Sequence, residues 1–139
     1  MKDANKVTMG KKSKKSGGDF ERRVRKDLES KGWIVDKWSN NIKDGKLVPA
    51  KQKFRGPGLP FVIGTGFPDF LCFKFYKGYN GIKTWEMMGV ESKTNGILDK
   101  EEKEKCKWLL KNNIFSKILI ASKTKVKNRV IIKYEDFEK

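Results

Sequence analysis

A chain of 139 residues suffices for one domain with one modest core. Its 33 Lys and Arg against 17 Asp and Glu leave a net charge of +16, a field that attracts polyanions such as nucleic acid. Histidine is absent, which excludes His-ligated zinc, Ser-His and Cys-His triads and any imidazole base, and leaves carboxylates, lysines and a hard cation for hydrolytic chemistry.

Residues 1–18 are Lys-rich and end in Ser16-Gly17-Gly18, which predicts a flexible basic N-terminal arm with Lys11, Lys12, Lys14 and Lys15 free to meet phosphates. A solvated tail without function is the plainer alternative. A single domain is expected over 19–139. Phe20, Val24 and Leu28 recur at i, i+4 and i+8, a helical apolar stripe, with Asp19 as its N-cap and Gly32 as its stop. Trp33–Trp38 reads as a short strand.

Residues 39–66 are dense in turn formers and predict a long irregular loop, with a two-stranded hairpin as the structural alternative. Its Lys51, Lys53 and Arg55 suit a substrate-facing role. Asp69–Phe75 and Thr84–Lys93 read as a hairpin in the middle of a sheet, joined by a turn through Gly78–Gly81. A second helix is expected over 98–112, with Leu98, Cys106, Leu109 and Leu110 on one face. A strand at 117–122, buried on both faces, a last strand at 129–134 and a final helical turn at 135–139 follow. The order gives an α/β fold, one sheet flanked by helices.

Cys72 and Cys106 stand too far apart for a CxxC pair and too few for an all-cysteine zinc site or an iron–sulfur cluster, so buried thiols are expected. No apolar run reaches the roughly 20 residues of a membrane span, and an intracellular location is expected.

Strand alternation sends Glu91 and Lys93 to one face and Val90 and Ser92 to the other. The hairpin can bring Asp69 beside Glu91, and two carboxylates make an oxygen site for Mg²⁺ or Mn²⁺. Lys93 beside them can offset charge on an attacked phosphate. The structural alternative is a turn-ending Asp69 and a surface Glu91–Lys93 pair.

The run of helix with Glu21, strand, Pro68-Asp69, strand with Glu91-x-Lys93, then helix resembles the PD-(D/E)XK, or restriction endonuclease-like, nucleases. That resemblance implies an αβββαβ core with a central mixed sheet flanked by helices. Gly18-Asp19-Phe20-Glu21-Arg22, Lys31-Gly32-Trp33 and Trp38-Ser39 are similar to archaeal Holliday junction resolvases, while nucleases of the VRR-NUC type share the core. The resemblance implies Glu21, Asp69, Glu91 and Lys93 as the catalytic set, the three carboxylates holding one or two Mg²⁺ ions, with Mn²⁺ as substitute and no small-molecule cofactor. It adds Arg22 and Ser39 as DNA contacts and a homodimer acting on branched or double-stranded DNA. An i,i+4 pair with Arg25 is the alternative for Glu21. Glu102, Lys103 and Lys105 are the candidates for a supporting residue from the second helix. A sequence-specific or repair-type endonuclease, or a basic binding protein without catalysis, competes for the function.

Overall fold

A computed structural model describes residues 4–50, 52, 53, 57, 58, 62, 63 and 66–138, with side chains from 17 to 50, at 57 and 58, and from 66 to 138. In chain order, helix α1 (Ala4–Ser30) leads into β1 (Ile34–Lys37), then two small hairpins, β2 (Asn40–Lys43) with β3 (Lys46–Pro49) and β4 (Gln52–Lys53) with β5 (Val62–Ile63). The long hairpin of β6 (Phe70–Tyr79) and β7 (Ile82–Ser92) comes next. Helix α2 (Lys100–Lys111) and the pair β8 (Lys117–Val126) and β9 (Arg129–Asp136) follow.

β1, β6, β7, β8 and β9 form a five-stranded mixed sheet in that order. All neighbours run antiparallel except β7 and β8, which are parallel. Parallel neighbours need a crossover, and α2 supplies it.

Alternation divides the strand side chains between two packed layers. Phe70, Cys72, Met88, Val90 and Ala121 meet Phe20, Val24 and Leu28 of α1. On the other side, Ile118 and Ile120 meet Leu98 and, from α2, Cys106 and Leu109. Each large side chain so buried contributes about 1.5–3 kcal/mol, which is what fastens the helices to the sheet. No helix among the described residues is long and apolar enough to cross a membrane.

Several expectations are corrected. The first helix begins at Ala4 rather than Asp19, so the basic segment is continuous with it. Ala, Met and Lys are good helix formers, and Gly17 and Gly18 cost only about 1 kcal/mol each. Asp19 lies inside the helix and pairs with Arg22 instead of capping. The irregular 39–66 connection holds two hairpins. Asp44 and Gly45 both take positive φ, 52° and 70°, the requirement of a tight two-residue hairpin turn. Asn80-Gly81 and Lys127-Asn128 close the larger hairpins the same way. β8 runs to Val126, and Leu119 within it is only half-buried. No helical turn forms at residues 135–138: β9 runs through Asp136, and the Phe137 amide donates to the Ile118 carbonyl at 2.8 Å.

Candidate active site

Asp69 stands one residue before β6, and its carbonyl accepts from the Trp38 amide at 3.0 Å, which ties it to the end of β1. Phe70 pairs with Val90 in the β6–β7 ladder, so the Asp69 side chain arrives beside the last residues of β7. Because β6 starts only at Phe70, the Ser92 amide has no strand partner on that side. The Asp69 carboxylate takes it: Oδ2 accepts from the Ser92 amide at 2.9 Å and from the Ser92 hydroxyl at 2.5 Å.

Among the described residues, Glu91 is the buried charged one, 5% exposed, and it lies on β7 between β6 and β8, opposite Ile120. Burial pushes its carboxyl up to about 10, with the hydrogen bond and charge of Asp69 and the charge of Glu102 adding to the rise and Lys93 opposing it. A carboxylate buried as Glu91 is, with a second one against it, does not stay ionised without compensation; it holds a proton or takes up a cation. The donor set therefore fits a hard divalent ion held by oxygens.

Lys93 follows β7 and remains in the sheet through its amide, which donates to the Ala121 carbonyl at 2.8 Å. Burial pulls its ammonium down, but the hydrogen bond and charge of Glu102, with Glu91 and Asp99, outweigh that and hold it above the ordinary lysine value. The second helix explains why Glu102 stands there. Asp99 is the N-cap of α2 and accepts from the Glu102 amide at 2.8 Å, while Glu102 Oε1 accepts from the Asp99 amide at 3.0 Å, a reciprocal capping box. The other oxygen, Oε2, lies 2.6 Å from Lys93 Nζ. One side chain thus starts the helix and holds the lysine.

Glu21 reaches the same region from α1. It is half-buried, and burial and then the charge of Asp69 raise its pKa, against the lowering effect of Lys37 and Arg22. Arg25 pairs instead with Glu29 at 3.1 Å and donates to the Val35 carbonyl at 3.0 Å. Among the described residues, no three His, Cys, Asp or Glu side chains gather closely enough to form a metal-holding group by themselves. The close acidic pair is Asp69 with Glu91. No protein-family model, curated protein or solved structure matches the chain.

Of the three helix candidates, Glu102 alone joins the lysine. Lys103 is exposed, and Lys105 sits 5.7 Å from the Phe67 ring centre and 3.3 Å from Glu101. Ser39 is exposed, and its carbonyl accepts from the Ala50 amide. The serine at the carboxylates is Ser92, expected on the opposite face from Glu91. Arg22 is engaged with Asp19. Lys51 and Arg55 lie outside the described residues, as do the side chains of Lys11, Lys12, Lys14, Lys15 and Lys53.

Sequence reasoning missed Ser92, Asp99, Lys37 and Gly89. The Asp99-x-x-Glu102 spacing is a capping-box signal that could have singled out Glu102. Gly89 has no local signal: a Cβ there would stand 2.7 Å from Pro68 Cγ and 3.1 Å from Phe115, so only glycine lets Pro68, and with it Asp69, lie against β7.

Proposed function

We propose that this chain is a metal-dependent endodeoxyribonuclease of the PD-(D/E)XK kind, acting on branched DNA in the manner of a junction resolvase. The observation that carries the reading is the buried Glu91 carboxylate set against the part-buried Asp69, with Lys93 beside them, in a protein of net charge +16. A purely phosphate-binding surface gains nothing from buried acids, which repel its ligand unless a cation compensates them. The order of α1, β1, β6, β7, α2 and β8, with the two small hairpins as an insertion, adds support, since it follows the αβββαβ order that the resemblance implies.

One or two Mg²⁺ ions, or Mn²⁺, bound by Asp69 and Glu91 with Glu21 alongside, would supply a water of lowered pKa and neutralise charge at the phosphate. The chain's own groups do the rest. Ser92 holds Asp69 Oδ2 through two hydrogen bonds and so fixes the carboxylate's aim. Glu91 would give up its proton on becoming a ligand. Lys93, kept charged by Glu102, offsets negative charge building on the attacked phosphate. The basic first helix contacts phosphates without reading sequence, which suits recognition by shape. A homodimer, presenting two such sites to a symmetric junction, belongs to the same proposal.

The test is cleavage of a labelled four-way junction beside matched duplex, flap and single strand, with Mg²⁺ or Mn²⁺ and with EDTA. Metal-dependent paired cuts in the junction, absent in Glu91→Ala, are expected. Cuts in the other substrates alone would keep the chemistry and move the substrate. Tight binding with no cleavage of any substrate would overturn the reading.

A further inference from the structure

The β6–β7 hairpin runs past the packed core. From Lys74 to Tyr79, and from Ile82 to Trp85, every residue is exposed. Ordinary surface strands carry polar side chains there, but this stretch carries aromatic rings. Trp85 lies across from Phe75 with ring centres 5.6 Å apart at 77°, and diagonal to Phe73 at 6.0 Å and 65°. Phe75 and Trp85 are each 49% exposed, and Tyr79 at the tip is 70% exposed. Apolar surface of this extent on a water-facing hairpin marks a binding surface.

The charges around the rings identify what would cover them. Lys83 stands two residues before Trp85 on the same strand face, and Lys77 Nζ lies 5.4 Å from the Tyr76 ring centre, while Lys74, on the opposite face, lies over Trp33 at 5.6 Å. The acidic residue next to the stretch, Glu86, is paired with Lys117 at 3.2 Å. Rings that offer flat faces, set among cations that track phosphates, are the chemistry that holds single-stranded nucleic acid. A second copy of the chain fits poorly: it would bring the same lysines and another charge of +16 against this face.

We infer that the projecting half of the β6–β7 hairpin is a stacking platform for unpaired bases of nucleic acid. This deepens the nuclease reading and rests on it for one clause only, that the unpaired strand belongs to the branched substrate. Trp85 is six residues from Glu91, or roughly 20 Å along β7, so a strand seated on the rings would extend from the site to the hairpin tip.

The experiment is fluorescence anisotropy of the full chain in EDTA with a labelled oligothymidylate, a strand of equal length made of abasic residues, and a duplex. Oligothymidylate should bind more tightly than the abasic strand. Phe75→Ala and Trp85→Ala should each weaken oligothymidylate binding by about fivefold or more, leave the abasic strand unaffected and keep the salt slope unchanged. Trp85→Phe should retain most of the binding yet lose part of the tryptophan quenching that oligothymidylate causes. Equal affinity for abasic and base-bearing strands would overturn the platform. So would a Trp85→Ala variant that binds normally but sediments as a smaller species, which would make this face a self-association surface. The assay contains no metal and reads no cleavage, so the platform and the nuclease can fail separately.

Discussion

Lys93 Nζ and Glu102 Oε2 stand 2.6 Å apart, and the same Glu102 side chain closes the capping box that starts α2. The two tasks can be separated. Glu102→Gln keeps an oxygen for the cap and removes the charge, whereas Glu102→Ala removes both.

Glu102→Gln is expected to leave the melting temperature nearly unchanged while cleavage falls roughly ten- to hundredfold through a misplaced lysine. Losing the charge that holds Lys93 above its ordinary value should also move the alkaline limb of the pH–rate profile to lower pH. Glu102→Ala should lose a further ~1 kcal/mol of stability through the cap. Equal effects of both variants on stability and rate would make the residue a cap and nothing more.

Stability should depend on pH through Glu91. Its carboxyl lies at about 10 in the fold, against an ordinary value of 4.5. Between these values the folded chain holds a proton that the unfolded chain has released. The stabilisation is therefore complete below the ordinary value and is lost progressively as pH rises. Without divalent ions, thermal melts should fall from about pH 5 to about pH 8, below the range in which thiols titrate, and Glu91→Gln should flatten the decline. On the proposed reading Mg²⁺ would replace that proton, and it should then raise the melting temperature more at the upper end of that range. A Mg²⁺ effect independent of pH, or unchanged in Glu91→Gln, would count against this carboxyl as a ligand.

Gly89→Ala would press a methyl group against Pro68 and Phe115. Overpacking of this kind costs about 1–3 kcal/mol. Since Pro68 precedes Asp69, cleavage at a temperature where the variant is fully folded should fall well below wild type. A destabilised variant with normal cleavage would show that the Asp69 position tolerates the shift.

Residues 1–16 carry Lys2, Lys6, Lys11, Lys12, Lys14 and Lys15 against Asp3 alone. Deleting them should weaken duplex binding and reduce the slope of log affinity against log salt, because fewer counterions are released. Affinity titrations across salt concentrations check this, and an unchanged slope would exclude the segment from the interface.

Much of the architecture is written locally. The stripe of Phe20, Val24 and Leu28, the pairing of the segments after Asp69 and before Lys93, and the turn at Asn80-Gly81 each depend on residues near one another in the chain. Composition, spacing and turn chemistry therefore expose them. The helix start at Ala4 was hidden, because Gly17 and Gly18 look like a break whose small cost the flanking helix in fact outweighs. The hairpins within 39–66 were obscured by the density of turn formers, which marks turns without saying which segments pair across them.

The absence of histidine and the Pro68-Asp69 and Glu91-x-Lys93 spacing were enough to single out an acidic pair with a lysine. Which other groups join it was a tertiary decision. Ser92, assigned by alternation to the far face, reaches Asp69 because β6 begins only at Phe70, two residues short of the position opposite Ser92, and leaves the Ser92 amide to be satisfied by the carboxylate. Glu102 rather than Lys103 or Lys105 meets Lys93 because the parallel crossover from β7 to β8 sets how α2 lies over the sheet. Gly89 matters only because Pro68 and Phe115, distant in sequence, converge on its Cα. Local patterns fix which face of an element is apolar; where two elements cross, and so which polar groups meet there, follows from packing between residues far apart in the chain.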